Sequence, residues 1–453
     1  MNNSKNIILC AGIFFLLLCL FQEGNMAYEN IFLLPLSFII VSQIYFKTYD
    51  LLRNSFVFNV FIIQAILRYF IIPYKVATGG QMTGGNSEYG ETAILIMIFE
   101  IFFCFTVFQF ISSKQRYAYV NRSQEIKPLE GSITLYLLIV ILALYIFSTG
   151  YFSKVNPIWN MGQYVEKVRA GEGAEDTGFG GILFRPFKLI IAIFCTSLIY
   201  KSKRINPERK KYYYLIVIFA TSLFIVGTSR LSILHFATPL LVMVTLMISK
   251  KSSRKLIIAF ISFIIPVILI TSIGKFSRED KQASTDSFFT PSSLNAYFAG
   301  PGNVAIGIEA YEGLKIKDKP LFFINDLLQN FPGLAKYSSD SYKTNMFFNE
   351  KIYGHKLYQD QIVPLSTSGI FHFGYWGSFI YAPIFLLVAL YMERKSYKET
   401  FLGYKFVYIA VSFSLSMVFM LNIGSLYSSI VSSFLFIYIP FFVINNIKKF
   451  TNS

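Results

Sequence analysis

"YYYLIVIFATSLFIVGTSRLSILHFATPLLVMVTLMIS", residues 212–249, contains 38 residues and a single full charge, Arg230. Lys211 and Lys250 bound it on either side. An α-helix needs about 20 residues to cross roughly 30 Å of hydrocarbon. The stretch is therefore long enough for two crossings. It reads as two spans with "GTSR" as the turn between them. The arginine then sits at the membrane–water boundary, where its stem can snorkel and its charge stays wet. An ionisable group pinned there by a short turn is a functional candidate.

The same arithmetic extends outward along the chain. Of 453 residues, 54% are hydrophobic and only 15% charged, whereas soluble domains carry about 25% charged residues. The expected fold class is an all-α polytopic membrane protein with about twelve transmembrane helices. A β-barrel would instead show alternating segments of about ten residues. The expected spans are 5–21, 31–46, 55–74, 91–112, 132–149, 183–200, 212–227, 230–249, 256–274, 363–391, 403–421 and 425–446.

The net charge of +16 follows from topology rather than from a nucleic-acid partner. Basic residues gather in alternate connections such as "KSKRINPERKK" (201–211) and "KKSSRK" (250–255), which marks those as cytoplasmic. Segments 22–30, 79–86, 150–182, 275–361 and 421–425 then face outward, and both termini face the cytoplasm. The chain divides into spans one to nine (1–274, with outer loop 150–182), a large outer loop with short helices (275–361), and spans ten to twelve (362–453). No small-x-small cleavage site follows the first apolar run, so it is expected to remain as a span. Cys10, Cys19, Cys104 and Cys195 all lie inside apolar runs, which predicts neither disulfide nor metal cluster.

The cytoplasmic segments are short and carry no P-loop or GxGxxG, so intracellular nucleotide chemistry is not expected. Chemistry is expected on the outer face. Loop 275–361 balances ten Lys/Arg against ten Asp/Glu. Within it, "PGNVAIGIEAYEGL" (301–314) opens as a helix behind Gly300-Pro301. "PLFFINDLLQNF" (320–331) is amphipathic and suited to the membrane interface. No DxD, HExxH, CxxC or GxSxG occurs, so neither metal nor cofactor is expected.

Two residue sets stand out. His372 lies in "STSGIFHFGYWGSF" (366–379), where the long loop returns to the membrane; a histidine there can accept a proton near neutral pH. His235 lies inside a span and His355 in the loop. The second set is Arg169, Arg185, Arg230 and Arg278, three of them at outer helix mouths, with Arg68 in span three as a weaker fifth. Guanidinium forks match phosphate oxygens and keep their charge, so a lipid pyrophosphate is the expected ligand.

These features together resemble the Wzy family, the oligosaccharide repeat-unit polymerases of O-antigen and capsular polysaccharide. "GTSRLSIL" is similar to the Gly-Ser-Arg-plus-apolar signature that these polymerases share with the O-antigen ligases. "STSGIFHFGYWGSFI" resembles the family's return segment, with Gly374 and Gly377 in register and His372 where an acidic residue is common. Arg169 and Gly180 fit the family's Arg-x10-Gly pattern, whereas Arg278 has no glycine at that spacing. The resemblance implies a GT-C-like membrane glycosyltransferase on the outer face of a bacterial inner membrane. It implies an undecaprenyl-pyrophosphate-linked oligosaccharide as substrate, membrane lipids as surroundings and a chain-length regulator as candidate partner. Arg230, Arg278, Arg169 and Arg185 are then the pyrophosphate ligands, with His372 and Arg230 as catalytic residues. Glu175, Asp176, Glu279 and Asp280 are alternative bases. An O-antigen ligase and a lipid-linked-oligosaccharide flippase are the rival readings.

Overall fold

The structure is a computed structural model. It describes residues 10, 12–17, 28–45, 48, 52, 54–114, 126–129, 133–148, 179–223, 230–279, 290–315, 318–331, 333–354 and 362–451. Among these every long element is a helix, and the lone backbone bridge joins Lys127 to Phe401. Among the described residues four stretches are long and apolar enough to cross a membrane: Phe56–Ala77, Gly90–Ser112, Tyr375–Lys398 and Ile423–Ile444. Helices occupy every expected span position from 31–46 onward. The chain is thus a helical, membrane-embedded protein, and it clusters into two compact units.

The first unit comprises 1–119, 284–391 and 414–428. Its early helices are α1 (Leu33–Ile44), α2 (Phe56–Ala77, with a π turn at Leu67–Ile71) and α3 (Gly90–Lys114). Ser55 caps α2 by accepting from Phe58 N–H, a contact worth about 1 kcal/mol. α1 packs on α3, and Phe38, Phe61 and Phe105 interleave in the core between these helices.

The long loop supplies α9 (Pro291–Tyr297), α10 (Pro301–Glu312), α11 (Lys319–Leu328) and α12 (Thr344–Tyr353), and α13 (Leu365–Phe373) follows where the chain returns. Each of the first three carries Pro at its first or second position, where the missing N–H costs nothing. α10 begins at Pro301, as its Gly-Pro opening predicts. It is buried on almost every face, packing on α3, α12 and α13. The Asn295 carboxamide ties this region together. Its oxygen accepts from the N–H groups of Gly302 and Asn303, and its nitrogen donates to Thr83 O. The glycine-rich segment 79–86 is thereby docked on α9 and α10, and Tyr28 O–H donates to Gly84 O.

Expected span ten, 363–391, is two elements. α13 stops at Phe373, Gly374 follows at φ 78° and ψ −170°, and a 3₁₀ turn (Tyr375–Phe379) leads into α14 (Tyr381–Lys398). That backbone region is open to glycine and to little else. The turn folds back so closely that a Cβ on Gly369 would meet Gly377 O at 2.0 Å. The break has a geometric cause that hydropathy does not carry.

The second unit comprises 120–283, 392–413 and 429–453. It holds α4 (Ile133–Ser148), α5 (Phe179–Lys201), α6 (Pro207–Leu223), α7 (Arg230–Met247) and α8 (Lys250–Glu279). α4 packs on α5, α5 on α6, and α6 on both α7 and α8. The ammonium of Lys188 stands 3.6 Å from the ring centroid of Phe236. The 212–249 stretch does form two helices, the first ending at Leu223 and the second starting at Arg230. Residues 224–229 between them lie outside the described residues. Three helices straddle the unit boundaries: α14, α15 (Leu402–Ser416) and α16 (Ile423–Ser433), the last prolonged through a π turn into α17 (Ile439–Thr451).

Candidate functional site

The site lies within the first unit and is built on α11. Asp318 caps this helix by accepting from Leu321 N–H. The cap sets the helix phase so that Phe322, Asn325 and Asp326 are buried. Asp326 Oδ1 accepts from Thr344 N–H at 3.1 Å and from the Gln329 carboxamide at 3.0 Å. Its Oδ2 lies 2.9 Å from His372 Nε2. His372 Nδ1 is 2.7 Å from the Tyr381 hydroxyl, and Tyr381 is hydrogen-bonded in turn to Tyr427.

Donor and acceptor roles follow from the chemistry. A carboxylate can only accept, so Nε2 carries the proton shared with Asp326. In a neutral imidazole Nδ1 then accepts from Tyr381 O–H. The chain thus runs Tyr427, Tyr381, His372, Asp326. Rings of Phe323 and Tyr381 flank the imidazole edge-on at 5.5 and 5.7 Å between centroids. Both ring nitrogens of His372 are therefore occupied, and the imidazole is fully enclosed.

Asp326 also faces a cavity of about 50 Å³ that opens on one side. Thr344, Asn345, Ser368, Asn422 and Ser425 are among its other walls. Thr344 Oγ1, Asn345 Oδ1 and Ser368 Oγ are buried there without a hydrogen-bond partner. Each such atom costs about 1–3 kcal/mol if left unpaired, so the cavity is built for guests that both donate and accept. At roughly 10–15 Å³ per water it holds a few waters, or the hydroxyl-bearing arm of a sugar, and is too small for a whole pyranose ring. Ser366 Oγ and Thr367 Oγ1 are likewise buried and unpaired. The "STS" of the return segment is therefore a run of three unmet hydroxyls.

The far wall is the N-terminus of α16. α15 stops at Ser416, a turn intervenes, and Asn422 caps the next helix by accepting from Ser425 N–H at 2.7 Å. Irregular backbone between apolar helices survives where side chains satisfy it. Gln64 does so here, donating to Ser416 O at 3.0 Å and accepting from Phe419 N–H at 3.2 Å. One helical turn on, the Arg68 guanidinium lies 4.2 Å from the Phe419 ring centroid and pairs with Glu100 at 2.6 Å. Its Nε and Nη2 are buried without partners.

Of the residues singled out in the sequence, two have described side chains here: His372 in the pair with Asp326, and Arg68 one turn beyond Gln64. Arg185 lies in α5, Arg230 is the first residue of α7, and Arg278 and Glu279 end α8. The side chains of these four lie outside the described residues, as do Arg169, Glu175, Asp176 and Asp280 altogether. Asp326, Thr344, Ser368 and Tyr381 were not anticipated. Asp326 left one legible signal, as the only acid between Lys319 and Phe331, on the same polar stripe as Asn325 and Gln329. Among the described residues no group of three or more His, Cys, Asp or Glu could hold a metal ion.

No protein-family model, curated protein or solved structure matches this chain.

Proposed function

We propose that the protein polymerises undecaprenyl-pyrophosphate-linked oligosaccharide repeat units into an O-antigen or capsular polysaccharide. The growing glycan is transferred to the non-reducing end of a new lipid-linked unit. This reading takes the chain as a twelve-span, GT-C-like inner-membrane glycosyltransferase with cytoplasmic termini and an outward-facing site. The docking of segment 79–86 on α9 and α10 supports placing both on one side of the membrane. The observation that carries the proposal is a buried Asp326–His372 pair at the wall of a polar cavity with three unpaired oxygens.

In this mechanism the acceptor hydroxyl enters the cavity and is held by Ser368, Thr344 and Asn345. Its proton passes to the Asp326 carboxylate, the only titratable side chain on the cavity wall among the described residues. The acceptor oxygen bonds to the anomeric carbon of the growing glycan, and the bond from that carbon to the carrier pyrophosphate breaks. Arg230, Arg278, Arg169 and Arg185 neutralise the leaving pyrophosphate. His372, enclosed between Asp326 and Tyr381, positions the carboxylate through its Nε2–H.

A strain lacking the protein, analysed by surface-polysaccharide gel, tests the assignment. Single repeat units on the lipid core are expected. Carrier-bound polymer with bare core would identify a ligase instead, and repeat units trapped on the inner face would identify a flippase. Within the polymerase outcome, Arg230→Ala should abolish chain growth at normal expression, with Arg230→Lys recovering it poorly.

A further inference from the structure

α11 is inside out. Its polar residues Asn325 and Asp326 face the protein interior with Phe322. The Asn325 side chain is tied inward, donating to Leu321 O and accepting from Ser339 N–H. The opposite stripe is apolar: Pro320 and Ile324 are exposed, with Leu327 and Leu328 half-buried. Beyond the helix the stripe runs on through Phe331, Leu334 and Tyr337, 40%, 38% and 65% exposed. A helix facing water has the reverse pattern.

The stripe adjoins the start of a membrane span. Phe323 of α11 packs on Phe373 at 5.8 Å between ring centroids. Phe373, Tyr375 and Trp376 are themselves exposed, Trp376 to 79%, and they open the apolar stretch Tyr375–Lys398. Tryptophan and tyrosine at the end of a span mark the headgroup level. Exposed Lys336 extends past Tyr337, its ammonium 4.9 Å from that ring, as a cation placed for lipid phosphates.

We propose that the apolar stripe of α11 lies in the lipid leaflet at the level of Trp376, so that the membrane itself is one wall of the unit that holds Asp326. An interfacial helix buries its apolar face by about 5–10 Å. The carboxylate on the opposite face is then fixed near the depth of lipid headgroups, where a lipid-linked substrate presents its polar part. The lipid contact is independent of the glycan reading; only this last consequence rests on it.

The chain's two tryptophans are Trp159 and Trp376, which permits a single-probe test in the full-length protein. Both are replaced by Phe, and Ile324→Trp is introduced on the stripe. The protein is reconstituted into phosphatidylcholine–phosphatidylglycerol vesicles whose acyl chains are brominated near the headgroup. Blue-shifted emission is expected, with quenching by the brominated lipid several-fold stronger than by aqueous iodide. Quenching by iodide and not by bromolipid overturns the proposal, because the stripe then faces water. Quenching by neither also overturns it, since a protein surface then covers the stripe. Leu334→Trp repeats the measurement at an exposed turn position if Ile324→Trp does not fold. No substrate is needed, so the result is read separately from any loss of glycan transfer.

Discussion

His372 Nε2 and Asp326 Oδ2 stand 2.9 Å apart although 46 residues separate them in sequence. Their side chains are 0% and 2% exposed. A carboxylate so enclosed must be met by several donors to persist. Asp326 has three: the imidazole, Thr344 N–H and the Gln329 carboxamide. The pair is held by convergence of α11, α13 and the start of α12. Its geometry thus depends on the helix stop at Gly374, which lets Tyr381 return to Nδ1.

Asp326→Asn isolates the proton-accepting role. The amide oxygen can still accept from Gln329 and Thr344. Its NH₂ can donate to Nε2 once the imidazole switches tautomer. Folding should survive while the base is lost, and a positioned general base contributes about 10²–10⁴ in rate. Elongation of purified lipid-linked units should fall by about that factor at an unchanged thermal midpoint. Normal elongation by this variant would remove Asp326 from the mechanism.

Tyr381→Phe probes the other side of the imidazole. The ring packing against Phe385, at 5.8 Å and nearly parallel, is retained, but Nδ1 loses its donor. An unmet buried polar atom costs about 1–3 kcal/mol. Chemical denaturation in detergent should show a loss of that size, with a smaller fall in elongation than Asp326→Asn gives. Equal elongation losses in the two variants would mean that Tyr381 contacts the reacting groups itself.

The helical class is legible because apolar runs longer than 18 residues admit no other economical solution in lipid. That 212–249 forms two helices is legible from its length, and the start of α10 follows from Gly300-Pro301. His372 stands out as a lone imidazole in an aromatic segment. Its partner does not stand out, because pairing across 46 residues is decided by how three helices converge. The amphipathic pattern of 320–331 is plain in the sequence, but pattern alone leaves open whether the polar face meets water or buried partners. The break at Gly374 is hidden for another reason. Hydropathy counts transfer energy, whereas the break comes from backbone conformation and from the close approach of Gly369 to Gly377.

Arg68 and Glu100 join two apolar helices through a 2.6 Å pair, with each side chain 1% exposed. Removing one partner strands the other charge, at about 3–5 kcal/mol. Arg68→Met and Glu100→Leu should each destabilise by about that amount. The double variant should recover most of it, because neither charge remains to be desolvated. The residual loss reflects the stack on Phe419, about 0.5–2 kcal/mol for a cation over a ring. A double-mutant cycle measured by denaturant unfolding reads the coupling directly. Additive single effects would show that the pair contributes nothing as a pair.

Tyr28 gives the docked outer segment an alkaline limit. Its hydroxyl donates to Gly84 O, and burial, with Glu309 and Glu91 nearby, raises its pKa well above the ordinary value of 10.0. The folded state therefore favours the neutral phenol more than the unfolded state does. The stabilisation is fully present below pH 10, where both states keep the proton. It declines above pH 10 as the unfolded phenol ionises, and is gone once the folded phenol ionises too. Thermal midpoints should fall on passing from pH 9 to pH 11, with faster amide exchange at 82–85. In Tyr28→Phe the hydrogen bond is absent at every pH, so the midpoint at pH 8 should be lower. The further fall above pH 10 should be shallower than in the wild type. Identical pH profiles in the two proteins would assign the alkaline sensitivity to other groups and leave Tyr28 as packing alone.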